Sequence, residues 1–179
     1  MRITAGRLHG RRVRGGCGSG VRPTTARVRE ALFNILGPIE GGRVLDCFSG
    51  SGMIALEALS RGAASALSIE RDRKAVARME ELRRAWGLER CWRILPGDVG
   101  RALTRLAGSR FTLIFADPPY RSAWPERLIP LLQRHRIRSE WLVIETAGAS
   151  MPAWPAAVVD DEVRRYGEST LHFLRLAEE

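Results

Sequence analysis

The stretch Val44–Gly52, VLDCFSGSG, constrains the fold more than any other part of the chain. Val44 and Leu45 form a short apolar run. Asp46 ends it, and Gly50 and Gly52 bracket Ser51 just before the periodic segment Met53–Leu59. This reads as strand, tight glycine turn and helix. Glycine has no Cβ, so such a turn lets backbone come close to a ligand. The helix start that follows offers unpaired N–H groups. From Gly50 the run G-S-G-M-I-A is close to the G-x-G-x-x-G/A nucleotide fingerprint, although an ordinary turn between strand and helix would look similar.

Two later stretches agree with a nucleotide site. Leu67-Ser68-Ile69-Glu70 is a second short strand ending in an acid, and a carboxylate there can accept hydrogen bonds from both ribose hydroxyls. Phe111–Ala116 is an apolar strand that runs into Asp117-Pro118-Pro119-Tyr120. A glycine-turn strand, an acid-tipped strand and a strand ending in DPPY, in that order, resemble the class I S-adenosylmethionine-dependent methyltransferases that modify exocyclic amino groups.

The remaining chain alternates strand and helix signals, which predicts an α/β fold with a mostly parallel sheet. Strands are expected at 43–47, 66–70, 91–95, 111–116 and 141–145. Helices are expected at 51–61, from the cap Asp72 through Trp86, at 100–107 and at 124–134. Segments 157–166 and 169–176 should pair as an antiparallel hairpin with Gly167 in its turn. With 179 residues and 45% hydrophobic content, the chain suits a single domain spanning 1–179.

The net charge of +9 is unusual, and all but one of the 29 basic residues, Lys74, are arginine. Arginine contacts phosphate through two parallel hydrogen bonds and stacks on bases, so the partner class is polyanionic, with nucleic acid first. Residues 1–36 carry Arg2, Arg7, Arg11, Arg12, Arg14, Arg22, Arg27 and Arg29 against Glu30 alone. This basic extension reads as a hairpin of strands 2–5 and 11–14, a flexible loop at 15–20, and a helix opened by Arg22-Pro23-Thr24-Thr25 with a threonine N-cap. Its helix has Val28, Leu32 and Ile35 on one face, and Gly37-Pro38 stops it. Arg2, Arg7, Arg11, Arg12 and Arg14 are the candidate RNA contacts; a solvated arm is the alternative. The three cysteines and three histidines show no disulfide or metal-ligand spacing, and no long apolar run is present. The expectation is therefore a cytoplasmic protein, a monomer, without metal or membrane.

Asp46, Glu70, Asp98 and Asp117 all fall at strand ends, the edge where open α/β sheets bind ligands. Asp46 can order the glycine loop or sit near a cofactor's methionine part. Asp98 can equally be a helix cap. The DPPY stretch has its own chemistry. An exocyclic amine is a poor nucleophile because its lone pair is delocalised into the ring. Two acceptors aimed at its N–H groups, the Asp117 carboxylate and the Pro118 carbonyl, hold the lone pair toward an electrophilic methyl. Pro118 and Pro119 stiffen the loop, and Tyr120 offers a face on which to stack a base.

The stretches RITAGRLHGRRV, VRPTTARVREALFNIL, VLDCFSGSGMIALEALSRGA, IFADPPY and RYGESTLHFLRL resemble the RsmD family, bacterial 16S ribosomal RNA guanine-N2 methyltransferases. The resemblance covers nearly the whole chain. It implies a Rossmann-like, seven-stranded sheet of order 3-2-1-4-5-7-6, S-adenosylmethionine as methyl donor, and a guanine in small-subunit ribosomal RNA, free or in an assembling particle, as target. It also implies that Arg22, Thr24 and Thr25 lie near the cofactor's carboxylate and that Glu70 holds its ribose. Asp98 then neighbours the adenine, and Asp117, Pro118, Pro119 and Tyr120 hold the target base. Asp46, Ser49, Gly50, Ser51, Gly52 and Arg71 complete the candidate cofactor set. Two positions depart from the family pattern: Ala55 replaces a third glycine, and Ala5 replaces a glycine in the first hairpin.

Three rival readings stand beside this one. Methylation of adenine in DNA or of a protein amide lacks an obvious duplex-reading domain, and the arginine-rich N-terminus suits a neutral peptide poorly. A decayed enzyme that only binds RNA leaves Glu70 and DPPY unused. A nicotinamide dehydrogenase leaves DPPY unexplained.

Overall fold

The computed structural model describes residues 1–13, 25–120, 122–148 and 151–177. Arg14, the glycine loop, Arg22 and Thr24 lie outside the described residues. The elements run α1 (Ala26–Leu36), β1 (Arg43–Cys47), α2 (Met53–Ser60), β2 (Ser65–Glu70), α3 (Arg73–Ala85), β3 (Trp92–Pro96), α4 (Val99–Thr104), β4 (Arg110–Ala116), α5 (Trp124–Arg134), β5 (Arg138–Ala147), β6 (Val158–Tyr166) and β7 (Ser169–Leu176). One sheet of seven strands has the order β3-β2-β1-β4-β5-β7-β6. Neighbours among β1 to β5 are parallel, and β7 is antiparallel to both β5 and β6.

Alternation along the strands divides the core between the two faces. Val44, Leu113, Phe115 and Val143 face one side, with α1, α2 and α3. Leu45, Ile114, Leu142 and Ile144 face the other, with α4 and α5. Strand β5 is longer than the apolar run Trp141–Glu145 predicts. Its polar first residues, Arg138 and Ser139, are held by pairing with Arg110 and Phe111 of β4, and Ala147 pairs with Ser169 of β7. The β6–β7 hairpin turns at Gly167, φ 63°, with Tyr166 opposite Ser169. Among the described residues no helix is long and apolar enough to cross a membrane.

The first thirteen residues differ from the expected hairpin. Their ladder shrinks to a single bridge, Arg2 to Arg12, flanked by bonds such as Ile3 N–H to Arg11 O at 3.0 Å. The cause is competition from α2. The Thr4 and Ala5 amides donate to Glu57, at 3.0 and 3.1 Å from its nearer oxygens. The Arg7 and Leu8 amides donate to the carbonyl and hydroxyl of Ser60. Donors that would extend a ladder are therefore engaged by the last turn of a helix. Ile3, Leu8 and Val13 are buried, so this stretch is bound to the body and is not a solvated arm. Ala5 does not adopt a positive φ, so its position has no need of glycine.

Glu57 is the centre of this attachment. Its carboxylate, fully buried, also accepts from Thr4 Oγ1 at 2.6 Å and from Arg61 Nε at 3.0 Å, and it lies 3.7 Å from Arg29 Nε. Arg29, on α1, is itself buried and reaches Arg2 O at 2.7 Å. Burial lowers the Arg29 pKa, and the Glu57 charge opposes that shift. Removing one member of a buried ion pair leaves an uncompensated charge. Glu57→Ala should therefore lower stability by about 3–5 kcal/mol, measured by urea denaturation. A loss near zero would show that the network does not hold the N-terminal segment.

Candidate active site

The site lies at the carboxyl edge of the sheet. Chain leaving β1 bends at Phe48, whose φ of 61° is rare for a bulky residue. The bend is held from two sides. The Ser49 amide donates to Ile69 O of β2 at 3.0 Å, and the Phe48 ring meets Trp124 of α5 edge-on at 5.1 Å. Ser49 Oγ then donates back to Asp46 O at 2.6 Å, closing the turn.

The two glycines of the turn are required for different reasons. Gly52 has φ 74°, and a Cβ there would sit 2.6 Å from the Trp92 ring and 2.9 Å from Met79 Sδ. Its lack of a side chain answers to packing against β3 and α3. Gly50 has φ 53°, with nothing within 4 Å of a built Cβ. Backbone faces open space there, as a ligand cradle needs. Helix α2 starts without a side-chain cap, so its first amides have no such partner.

Glu70 ends β2 and takes part in the same turn. One carboxylate oxygen accepts from Gly50 N–H at 2.7 Å, and the other accepts from Asp72 N–H at 2.8 Å. A carboxylate has about four acceptor positions, so both oxygens keep capacity for ribose hydroxyls. Arg71 beside it is exposed. Asp98 caps α4, accepting from Arg101 N–H at 3.2 Å, which realises its helix-cap reading. Thr25 caps α1 through Oγ1, accepting from Val28 N–H at 3.3 Å.

Three carboxylates gather where β1, β4 and β5 lie side by side. Asp46 pairs in register with Phe115, and Ile144 pairs with Ala116, so Asp117 and Glu145 follow on neighbouring strands. Asp46 is buried, and its Oδ2 has no hydrogen-bond partner. Burial pushes its pKa up to about 7; the Glu70 charge adds to this, while the Ser49 and Ala55 hydrogen bonds oppose it. Burial, then the Glu145 and Asp46 charges, push Asp117 up to about 8. Pro118 is buried, Pro119 is exposed, and Tyr120 is 45% exposed, a ring open to a stacking partner. Burial raises the Cys47 thiol, which removes it as a nucleophile.

Asp46, Ser49, Gly50, Ser51, Gly52 and Glu70 therefore share one turn, with Asp117 and Tyr120 on the next loop along the edge. Glu145, Phe48 and Trp124 belong with them and were not singled out from the sequence. Glu145 carried a usable signal, because WLVIE ends in an acid just as LSIE does. Nothing in the residue type of Phe48 announces a positive φ.

This sheet order, a glycine turn after β1 and an acid ending β2 define a class I S-adenosylmethionine-dependent methyltransferase. The family model described as conserved hypothetical protein 95 matches residues 1–175. Ribosomal RNA small subunit methyltransferase D of Escherichia coli K12 is 41% identical over 140 residues, covering 74% of this chain and 67% of that protein. The solved structure of the Escherichia coli protein yhhF superposes with a TM-score of 0.84 at 32% identity, covering 99% of each chain. An RNA methyltransferase from Salinibacter ruber, in complex with S-adenosyl-L-homocysteine, gives a TM-score of 0.69 over 88% of this chain and 95% of its own, a likeness of fold at 20% identity. The chain belongs to the family of conserved hypothetical protein 95, the RsmD family.

The carboxylates generate a pH prediction. A positive ligand favours the ionised forms of Asp46 and Asp117 and lowers their raised pKa values. Binding then releases protons that the free site holds below pH about 7 and about 8. S-adenosylmethionine should bind more tightly as pH rises from acid toward these values, by up to about tenfold per pH unit for each proton released. S-adenosylhomocysteine, whose sulfur is neutral, should show a shallower dependence. Calorimetry with both ligands across this range checks it, and equal slopes would sink it.

Proposed function

We propose that this chain transfers a methyl group from S-adenosylmethionine to the exocyclic N2 of a guanine in small-subunit ribosomal RNA. The observation that carries the proposal is the placement of the half-buried Asp117 beside Asp46 and Glu145, immediately before Pro118 and the exposed Tyr120. Family membership supports the substrate class.

The residues present fit the cofactor. Asp46 Oδ2 is a buried acceptor without a partner, suited to a ligand's ammonium. Gly50 faces open space, and Glu70 has acceptor capacity for a ribose. Arg22, Thr24 and Thr25 are assigned to the carboxylate end, Asp98 to the adenine side, and Arg71 to the cofactor set, on the family resemblance alone. Bound S-adenosylmethionine supplies an electrophilic methyl on a positively charged sulfur.

The chain's own residues do the rest. Asp117 and the Pro118 carbonyl accept the two N–H groups of the amine and turn its lone pair toward the methyl. Tyr120 stacks the base, a contact worth about 1–3 kcal/mol. The amine gains a bond to carbon as the carbon–sulfur bond breaks, and it must then lose a proton. Asp117 is suited to take that proton, because burial and Glu145 favour its neutral form once the neighbouring positive charge is gone. That Asp46, Glu70 and Asp117 come from one chain supports a monomer as the acting unit, and a ribosomal RNA substrate supports a cytoplasmic location.

The test uses labelled S-adenosylmethionine and small-subunit particles from a strain lacking the enzyme, with the RNA digested to nucleosides. Label in N2-methylguanosine is the expected result. Label in N6-methyladenosine or in protein would favour the other amino-group methyltransferases. Asp117→Ala should lower turnover by on the order of a hundredfold, as for loss of one preorganised polar group. Its cofactor affinity should change much less than its turnover, since Asp117 is assigned to the target base.

A further inference from the structure

The opposite edge of the sheet, where the parallel strands begin, carries a second concentration of charge. Arg43 opens β1, Arg93 is the second residue of β3, Arg110 opens β4 and Arg138 opens β5. Between these strand starts and the end of α3 lies an open groove of about 470 Å³, lined in part by Arg43, Arg90, Cys91, Arg93, Arg105 and Phe111. Arg90, Arg93 and Arg105 are exposed. Arg43 lies over the Phe111 ring at 5.3 Å. Arg83 also lines the groove, but Glu80 at 2.7 Å and Trp92 O at 3.3 Å hold it. Among the described residues of the lining, Glu89 is the one acid.

The groove continues into the N-terminal segment. Arg7 reaches Cys91 Sγ at 3.9 Å and Leu59 O at 3.3 Å. Arg11 lies over Trp86, which caps the end of α3, at 5.3 Å. Arg11, Arg7, Arg90, Arg93, Arg105 and Arg43 therefore line one connected surface. Its cations are exposed and strung along an edge. A small anion would need donors converging on one buried point, whereas an extended polyanion is met by a row of exposed guanidinium groups.

We propose that this edge is a second docking track for the phosphodiester backbone of the substrate RNA, separate from the site that takes the target base. The proposal rests on the RNA reading of the function and adds where the flanking RNA lies. Phosphate contacts release counterions, and each one steepens the fall of log affinity with log salt by roughly 0.7–0.9.

The experiment compares the full-length protein with the triple variant R90A/R93A/R105A in binding small-subunit ribosomal RNA transcribed in vitro, over a range of salt. The substituted side chains are exposed, and a thermal melt verifies that the variant folds. The variant should bind at least about tenfold more weakly at low salt, with the slope flattened by roughly 2–3. Its S-adenosylmethionine affinity should match the wild type. Affinity and slope equal to wild type would overturn the track while leaving the RNA reading intact. A wild-type protein that binds no RNA at low salt would overturn the RNA reading and the track with it. Inorganic pyrophosphate binding as tightly as the RNA, and lost in the variant, would make the groove a small-anion site and also overturn the track.

Discussion

Burial of one carboxylate, Glu57, determines how the N-terminal segment attaches to the body of the molecule. Its acceptors hold Thr4, Ala5 and Arg61, and its charge opposes that of Arg29. The helix that carries it, α2, is the same helix whose first turn forms the candidate cofactor cradle. Cradle and N-terminal segment are thus fixed to opposite ends of one eight-residue helix. Arg7 and Arg11 take positions on the body because of that attachment.

The turn after β1 shows a different economy. Phe48 is held at positive φ, a conformation of the kind that functional sites retain when their surroundings over-determine it. The Ser49 bond to β2 and the Trp124 ring supply that constraint. Trp92 lies beneath Gly52 and donates from Nε1 to Ser68 Oγ at 3.0 Å, so the floor of the turn is packed and hydrogen-bonded. The cradle is shaped by protein contacts alone, and the Phe48–Trp124 contact ties it to the helix that follows DPPY.

Much of this was legible in the sequence, and the failures have physical reasons. Continuous apolar runs located β1 and β4, because central strands of a parallel sheet bury both faces. Asp72 and Thr25 announced helix starts through their capping chemistry, and both caps are made. The acid-tipped strands placed Asp46, Glu70 and Asp117 on one edge, but Glu145 was passed over although it obeys the same rule. The N-terminal hairpin is present but shorter than expected, because the Thr4 and Ala5 amides bond to α2, a tertiary competition that local pattern does not encode. The need for Gly52 has a further cause that the sequence did not show, since Trp92 is remote in sequence and only the fold brings it beneath the turn.

Asp46, Glu70 and Glu145 lie at or near the ends of β1, β2 and β5, and Arg43, Arg110 and Arg138 open β1, β4 and β5 at the other edge. A protein charged in this way is an electrical dipole, and near a polyanion it experiences a torque as well as an attraction. Glu70 and Glu145 disfavour phosphates at the acidic edge, and Asp46 and Asp117 add to them once a positive ligand has displaced their protons, while a neutral base is not repelled. For an RNA substrate, this polarity acts as a filter before any specific contact forms: backbone is kept outside the acidic edge, and only a nucleobase turned away from its phosphates enters.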